Sequence, residues 1–358
     1  MNARYAEIVG RFAQAHMVVA GDLIADEFIY GQVERVSREA PVLILKYDTT
    51  EMVPGGAGNA AANVASLGAR VRVVGVVGRD DAGRRLLAAM PRRADTRGVV
   101  RAAGYTTPVK TRVLAGGVHS AKQQVVRIDR VGSSLTPRQS HALSKKLEAA
   151  LATALADADA VIVSDYGSGL YSPEMVEQAE ALAAGRTTRR RTTRPHIDPM
   201  YAGRVPMILV DSRYGLSGFK GVTACTPNES EVEALLGVSI GDDLDVLEKA
   251  GRAMLRKLQA RAVLITRGSK GMALFEPGCS TDHIPIVGSD QIADVTGAGD
   301  TVIATFSLAL ACGATFGEAA RLANHAGGLV VMKRGTATVS ARELLAALEK
   351  VSGGCLGE

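Results

Sequence analysis

The chain has 358 residues, 47% of them hydrophobic, 22% charged and 4% aromatic, with no tryptophan, so it can bury a large aliphatic core and is not a disordered or low-complexity chain. Its apolar runs are broken by glycine or charge well short of the ~18 residues that a membrane span needs, and its first residues, Met1–Glu7, lack the apolar stretch of a signal peptide. The formal charge of +5 is accounted for by five arginines between Arg186 and Arg194 with no acid among them, which argues against an extended nucleic-acid surface.

Residues 1–16 read as a helical N-terminal extension, and Met17–Ala20 as the first β-branched strand. Two stretches, 27–47 and 106–129, alternate as extended strands with no long helix between, and are expected to form a small sheet standing off the main body as a lid. Glycine-rich 55–59 precedes a helix over Asn59–Leu67, and a strand follows at Val71–Val77. Leu143, Leu147, Leu151 and Leu155 recur every four residues within a helix over Pro137–Ala156, with Pro137 suited to the first helical position. Strands at Ala160–Ser164, Met207–Val210 and Val263–Thr266 then alternate with helices at Ser172–Ala184, Leu244–Gln259, Ala298–Ala311, Phe316–Met332 and Ser340–Val351. That alternation predicts an α/β fold: a mostly parallel sheet with helices on both faces, forming one domain over 17–351. The Arg-, Thr- and Pro-rich stretch 185–206 joins a helix to a strand, so it is expected as an insert loop at the N-terminal sheet edge, remote from ligands. A short tail, 352–358, closes the chain. Cys225, Cys279, Cys312 and Cys355 show no paired spacing, which predicts reduced thiols and a cytoplasmic protein.

Three motifs carry chemistry. In Asp294-Val-Thr296-Gly297-Ala298-Gly299-Asp300, a small-residue turn runs into an apolar helix, where converging backbone N–H groups and the helix N-terminus suit an anion. An acid there has a purpose if it takes a proton from a hydroxyl that attacks bound phosphate; the turn alone suits a helix-capping Asp300 equally. Gly55-Gly56-Ala57-Gly58-Asn59 is a generic glycine loop, compatible with a ligand or with tight packing; Met52-Val53-Pro54 before it is a poor strand, as the dinucleotide fingerprint would not allow. Asn228 and Glu231, three apart at a helix start, could hold Mg²⁺ or its waters, or form a plain capping box.

In this order, the three motifs resemble the ribokinase-like (PfkB) carbohydrate kinases, and the resemblance runs from about Met17 to Leu348. It implies the ribokinase-like three-layer fold with a β-lid, ATP and Mg²⁺ as partners of a small sugar or sugar phosphate, and no nucleic acid or membrane. It implies Asp300 as base with Gly297, Ala298 and Gly299 as the anion hole, and a sugar site at Asp26, Gly55, Gly56 and Asn59. ATP would lie along Asn228, Thr266, Gly268, Gly271 and Asn324, with Mg²⁺ organised by Glu231 and Asn228. Asp294 and Thr296 would hold a monovalent cation such as K⁺, and lid sheets would pair two chains into a homodimer. Further segments, including Arg35–Val42, Lys110–Arg112, Gln123–Asp129, Ser164–Gly167 and Lys333–Val339, are similar to the kinase domain of heptose 7-phosphate kinases. That branch makes the 1,7-bisphosphate from D-glycero-D-manno-heptose 7-phosphate, a lipopolysaccharide precursor, by phosphorylating its anomeric O1. It points to Lys110, Arg127 and Asp165 as further sugar contacts, and to Arg35, Lys110, Arg112 and Arg127 as candidate cations for the sugar's phosphate. Two departures stand out: Asp211-Ser-Arg213-Tyr214 replaces the branch's Asp-Pro-Lys-Gly, and 185–206 is extra. Fructose, ribose or fructose 6-phosphate are the alternative acceptors, and no nucleotidyltransferase segment is expected after Val351.

Overall fold

The computed structural model describes residues 2–116, 122–131, 135–184, 206–287 and 294–353. A first helix, α1 (Asn2–Arg11), leads into β1 (His16–Gly21), the third strand from one edge of a nine-stranded sheet. Beside it on one side lie β4 (Arg70–Gly78) and β5 (Ala94–Ala102). On the other side come β8 (Ala160–Asp165), β9 (Met207–Ser212), β10 (Ala224–Cys225) and β11 (Ala262–Thr266), all in parallel register. Antiparallel β12 (Met272–Phe275) and β13 (Asp282–Ile284) complete that edge.

The side-chain period of two sorts β1 between two cores. Met17 and Val19 join the cluster formed with α2 (Ala57–Ser66), α8 (Ala298–Ala311) and α9 (Phe316–Val330). Val18 and Ala20 join the cluster formed with α4 (Pro137–Leu155), α5 (Pro173–Ala184) and α7 (Leu244–Leu258). Two cores on opposite faces of one sheet make the three layers that the strand–helix alternation predicts. α10 (Ala341–Gly353) packs beside α1 and α9. In α4 the cap is a full capping box, Thr136 with Gln139, and Leu143, Leu147, Leu151 and Leu155 are all buried, as their spacing requires.

A second sheet of four strands stands apart, in the order β3 (Leu43–Gly56), β2 (Leu23–Val36), β6 (Val109–Gly116), β7 (Gln123–Arg130). It is mixed: β2 and β6 run parallel and the outer pairs antiparallel. Both of its first strands are longer than their alternation indicates, and two details correct the sequence reading. Residues 52–54 belong to β3 despite Pro54. They can because β3 is an edge strand: Ala25, opposite Pro54, donates its N–H to Pro108 on the other side, so no ladder bond needs the missing proline donor. The following helix then starts at Ala57 rather than Asn59, because Gly56 turns the chain at φ +57°, where a Cβ would lie 2.6 Å from the Asp22 carbonyl. The periodicity reading also passed over α3 (Asp81–Ala89), a short helix capped by the Asp80 carboxylate. Of the Arg-rich insert, 185–205 lies outside the described residues.

Candidate active site

Ligands of parallel sheets gather at the carboxyl ends of the strands, and here the ends of β1, β8 and β9 meet the N-terminus of α8. Asp22, just past β1, is 4% exposed and fixes the chain that leaves β8. Its carboxylate accepts N–H bonds from Tyr166 (2.8 Å) and Ser168 (3.2 Å) and a further bond from the Ser168 hydroxyl, while its carbonyl accepts from Ala57 at the head of α2. Asp165 does the same between β8 and β9: one oxygen accepts from the Gly167 N–H (2.9 Å), the other from the Ser212 hydroxyl (2.7 Å). Asp165 therefore lines the cleft with both oxygens already occupied in holding its walls.

Asp300 sits in the first turn of α8, after Gly297 and not as the cap, so the helix-capping alternative for this residue falls away. Gly297 takes that place at φ +77°, and a Cβ there would come within 2.4 Å of the Asn59 amide nitrogen. The side chain of Asp300, 3% exposed, accepts a bond from Asn59 Nδ2 (2.8 Å) and one from the Tyr166 hydroxyl (3.0 Å). Asn59 is oriented in turn: its Oδ1 accepts from Asn63 (3.1 Å), whose own Oδ1 accepts from Thr301 on α8 (3.1 Å). Burial pushes the Asp300 carboxyl up to about 6, against the pull of its two hydrogen-bond donors and Lys110, and with a further push from Asp26. A carboxylate poised near 6 can accept a proton at neutral pH and pass it on.

The cleft in front of Asp300 is lined by Asp165, Tyr166, Asp211, Arg213, Thr226, Asn228, Glu231, Thr266, Gly297 and Gly299, among others. It is thus polar and carries both signs of charge. A Cβ at Gly299 would meet nothing within 4 Å, so the helix head faces open space there. The Thr226 hydroxyl is buried on the cleft wall with no hydrogen-bond partner, an orphan that a ligand oxygen would satisfy. Asp211 is pushed well above the usual carboxylate range by burial first, then by Asp300 and Glu231. Among the described residues no three acids, imidazoles or thiols cluster as a metal site, but Asp211 and Glu231 line the cleft beside the helix head, and one or two carboxylates suffice for a divalent cation held mainly by phosphate and water. Asn228 and Glu231 form a capping box on α6 (Glu229–Leu236), with bonds of 2.8 and 2.9 Å, and also line the cleft. The two alternatives left open by their spacing are therefore compatible.

The small sheet approaches this site through Lys110, near Tyr166, and Asp26, bonded to Thr336. Asp26, Lys110 and Asp129 lie side by side across β2, β6 and β7, and Phe28, Arg112 and Arg127 form the next row on the same face. Asp26 is buried against Arg112 (2.7 Å) and the Thr336 hydroxyl (3.0 Å), and Gly55 leaves it room: a Cβ would lie 2.4 Å from its Oδ2. Lys110 stands 4.9 Å from the centre of the Tyr166 ring. Arg127, on the outer strand β7, is exposed and donates through Nε and one Nη to Asp129. Arg112 is paired with Asp26, and Arg35 is exposed toward the far end of β2.

Thr266 reaches the cleft, but Gly268 and Gly271 follow it round a tight turn and do not line it. Gly271 is held to glycine by φ +79° and by the Ile284 carbonyl, 2.1 Å from a would-be Cβ. Asn324, 4% exposed, donates to the Pro285 carbonyl (2.7 Å) and anchors the chain after β13. Asp294 staples two loops, accepting from Thr296 N–H (2.9 Å) and Gly335 N–H (3.0 Å).

This arrangement has relatives. Residues 15–343 match the model of the pfkB family carbohydrate kinases. The chain belongs to that family. Among curated proteins it is 37% identical to the bifunctional protein HldE of Geobacter sulfurreducens over 92% of this chain and 62% of that protein. It is 38% identical to HldE of Caulobacter vibrioides over 99% of this chain and 67% of that protein. The chain thus spans a little over three fifths of the length of the first of these relatives. Among solved structures, Arabidopsis thaliana ribokinase, complexed with ribose and ATP, covers 94% of this chain and 99% of its own at a TM-score of 0.65 and 20% identity. Phosphofructokinase-2 of Escherichia coli in complex with fructose-6-phosphate does so over 94% and 99% at 0.69 and 16%. These two show the fold alone, the ribokinase-like layers with a separate small sheet. The kinase is a phosphotransferase acting on a sugar hydroxyl, and among its described residues no helix is long and apolar enough to cross a membrane.

Sequence reading of the kinase missed Tyr166, Asp211, Arg213 and Thr226 as cleft residues. Each lies at or just past the carboxyl end of a strand, β8, β9 or β10, and that position was the available signal. Asp211-Ser-Arg213 stood out in the sequence only as a departure from a motif.

Proposed function

We propose that this kinase transfers the γ-phosphate of ATP to the anomeric O1 of D-glycero-D-manno-heptose 7-phosphate, giving the 1,7-bisphosphate. The observation that carries the reaction is Asp300, a buried carboxylate raised to about 6 at the head of α8, on a cleft that also holds Arg213, Asp211 and Glu231. Bound Mg²⁺ and ATP supply the transferable phosphate and offset its charge. The chain's own residues position the reactants. Backbone N–H groups at Gly297–Gly299 and the positive end of α8 face the phosphate, and Asp300 takes the proton of the attacking hydroxyl, worth roughly 10²–10⁴-fold. Glu231, with Asn228, is assigned to Mg²⁺ or its waters, and Thr266 with the turn to Gly271 to the nucleotide. Both oxygens of Asp294 are engaged by backbone amides, and no step is given to a K⁺ ion there.

For the acceptor, Asn59, Asp26 and the Gly55-Gly56 backbone are assigned to the sugar ring. Lys110 and Arg213, which flank Tyr166, are the cations best placed for a phosphate already on the sugar. The heptose reading is supported by the likeness to HldE and by the motif segments shared with heptose 7-phosphate kinases. Val33, Leu43, Tyr47, Val126 and Ile128 are exposed on the lid, which favours a homodimer through that sheet. The test compares kcat/KM for heptose 7-phosphate, fructose 6-phosphate, fructose and ribose at fixed ATP and Mg²⁺. A tenfold or greater preference for heptose 7-phosphate is expected. A ribose or fructose preference of that size overturns the acceptor while leaving the kinase intact.

A further inference from the structure

Tyr166 makes the contacts of a part that serves the reacting carboxylate, yet its residue type is not that of an acid or base at neutral pH. Its backbone N–H is held by Asp22 (2.8 Å), so the residue cannot swing away without breaking the buried tie between β1 and the chain after β8. Its ring is contacted by two cations from different parts of the molecule, Lys110 from the lid at 4.9 Å and Arg213 from the end of β9 at 5.2 Å. Its hydroxyl donates to Asp300 Oδ1, 3.0 Å away, while Asn59 holds the other oxygen, Oδ2, at 2.8 Å. Two donors on two oxygens define the plane of the carboxylate, which side-chain packing alone would leave free to rotate.

We propose that Tyr166 is a positioning residue for the reaction: its hydroxyl fixes the orientation of the Asp300 carboxylate, and its ring, clamped by Lys110 and Arg213, makes that orientation depend on where the lid lies. This rests on Asp300 being the base. The tyrosine stays protonated, since burial and the neighbouring Asp300 and Asp211 push its hydroxyl well above its usual range, so it serves as a donor throughout. The charged groups around the pair are Asp26 and Lys110 of the lid, and Asp211 and Arg213 at the end of β9. When the lid carries Lys110 against the ring, the hydroxyl is on target. With the lid lifted, the ring loses one of its two cationic contacts and the carboxylate loses a guide.

Tyr166→Phe keeps the ring and deletes only the donor. It is expected to lower kcat at least about tenfold with the ATP KM within twofold and the melting temperature near that of the wild type. It should also shift the acid limb of the kcat profile to higher pH, because the lost hydrogen bond favours the ionised carboxylate. In an Asp300→Asn background the same substitution should change the residual rate by less than about twofold, since a residue acting only through Asp300 has nothing left to act on. Equal kcat losses from Tyr166→Phe in both backgrounds, or a wild-type kcat and acid limb in Tyr166→Phe alone, overturn the inference while leaving Asp300 as the base. Wild-type turnover in Asp300→Asn alone overturns the base assignment and this inference with it. Tyr166→Leu, which also removes the ring that Lys110 and Arg213 contact, is expected to raise the sugar KM beyond the Tyr166→Phe value; an equal KM overturns the link to the lid.

Discussion

At the scale of single residues, Asp300 illustrates how burial and chemistry oppose each other. Its carboxyl is raised from the ordinary value of 3.8 to about 6, chiefly because burial penalises the charge. The folded chain therefore holds this proton more tightly than the unfolded chain. The stability so contributed is complete below about pH 4 and is lost as pH rises through about 6. Asp300→Asn removes that titration, and an amide can still accept from Asn59 while donating to the Tyr166 oxygen. The variant should lose at least about 10²-fold in kcat, yet its melting temperature should gain on the wild type as pH rises from 5 to 8. Parallel melting curves across that range would show that Asp300 is not held near 6.

At the scale of elements, the capping box of α6 separates two jobs that share one side chain. Glu231 accepts the Asn228 N–H while its charge faces the cleft. Glutamine serves equally at the third position of a capping box, so Glu231→Gln should leave α6 and the melting temperature within about 1 °C. A neutral amide attracts a cation less strongly, so the Mg²⁺ concentration for half-maximal rate should rise severalfold. An unchanged Mg²⁺ titration would reduce Asn228 and Glu231 to a helix cap. The sequence showed the two residues and their spacing but could not weigh these roles, because capping depends on local backbone and metal affinity on which carboxylates lie opposite. Asp211, which lines the same cleft, is 20 residues earlier in the chain.

At the scale of the whole molecule, the strand direction separates chemistry from decoration. β9 runs from Met207 to Ser212, ending at the cleft, so residue 206 enters the sheet at the opposite edge, about 17 Å away at the rise of an extended strand. Replacing Arg186–Arg194 with a Gly/Ser linker should therefore leave kcat/KM within threefold under standard assay salt. A larger loss would assign that segment to the reaction or to an interface that the reaction needs.

Much of this protein could be read without coordinates. Leucines every four residues marked α4, β-branched runs marked the central strands, and the glycines at 56 and 297 marked where α2 and α8 begin. These signals are local: each depends on the few residues whose backbone period or turn conformation it reports. Local reading failed at Pro54, whose place in β3 depends on which neighbour that edge strand has, and it could not show that Arg112 pairs with Asp26 and Arg127 with Asp129. It could not join Tyr166, Asn59 and Asp300, which are brought together from β8, α2 and α8. Composition and spacing determined which backbone elements form and which chemical groups are available. The partner of each buried charge was decided only when the sheet and its lid set distant residues within hydrogen-bond reach, because desolvation and pairing energies fall off over a few ångströms in space and take no account of separation along the chain.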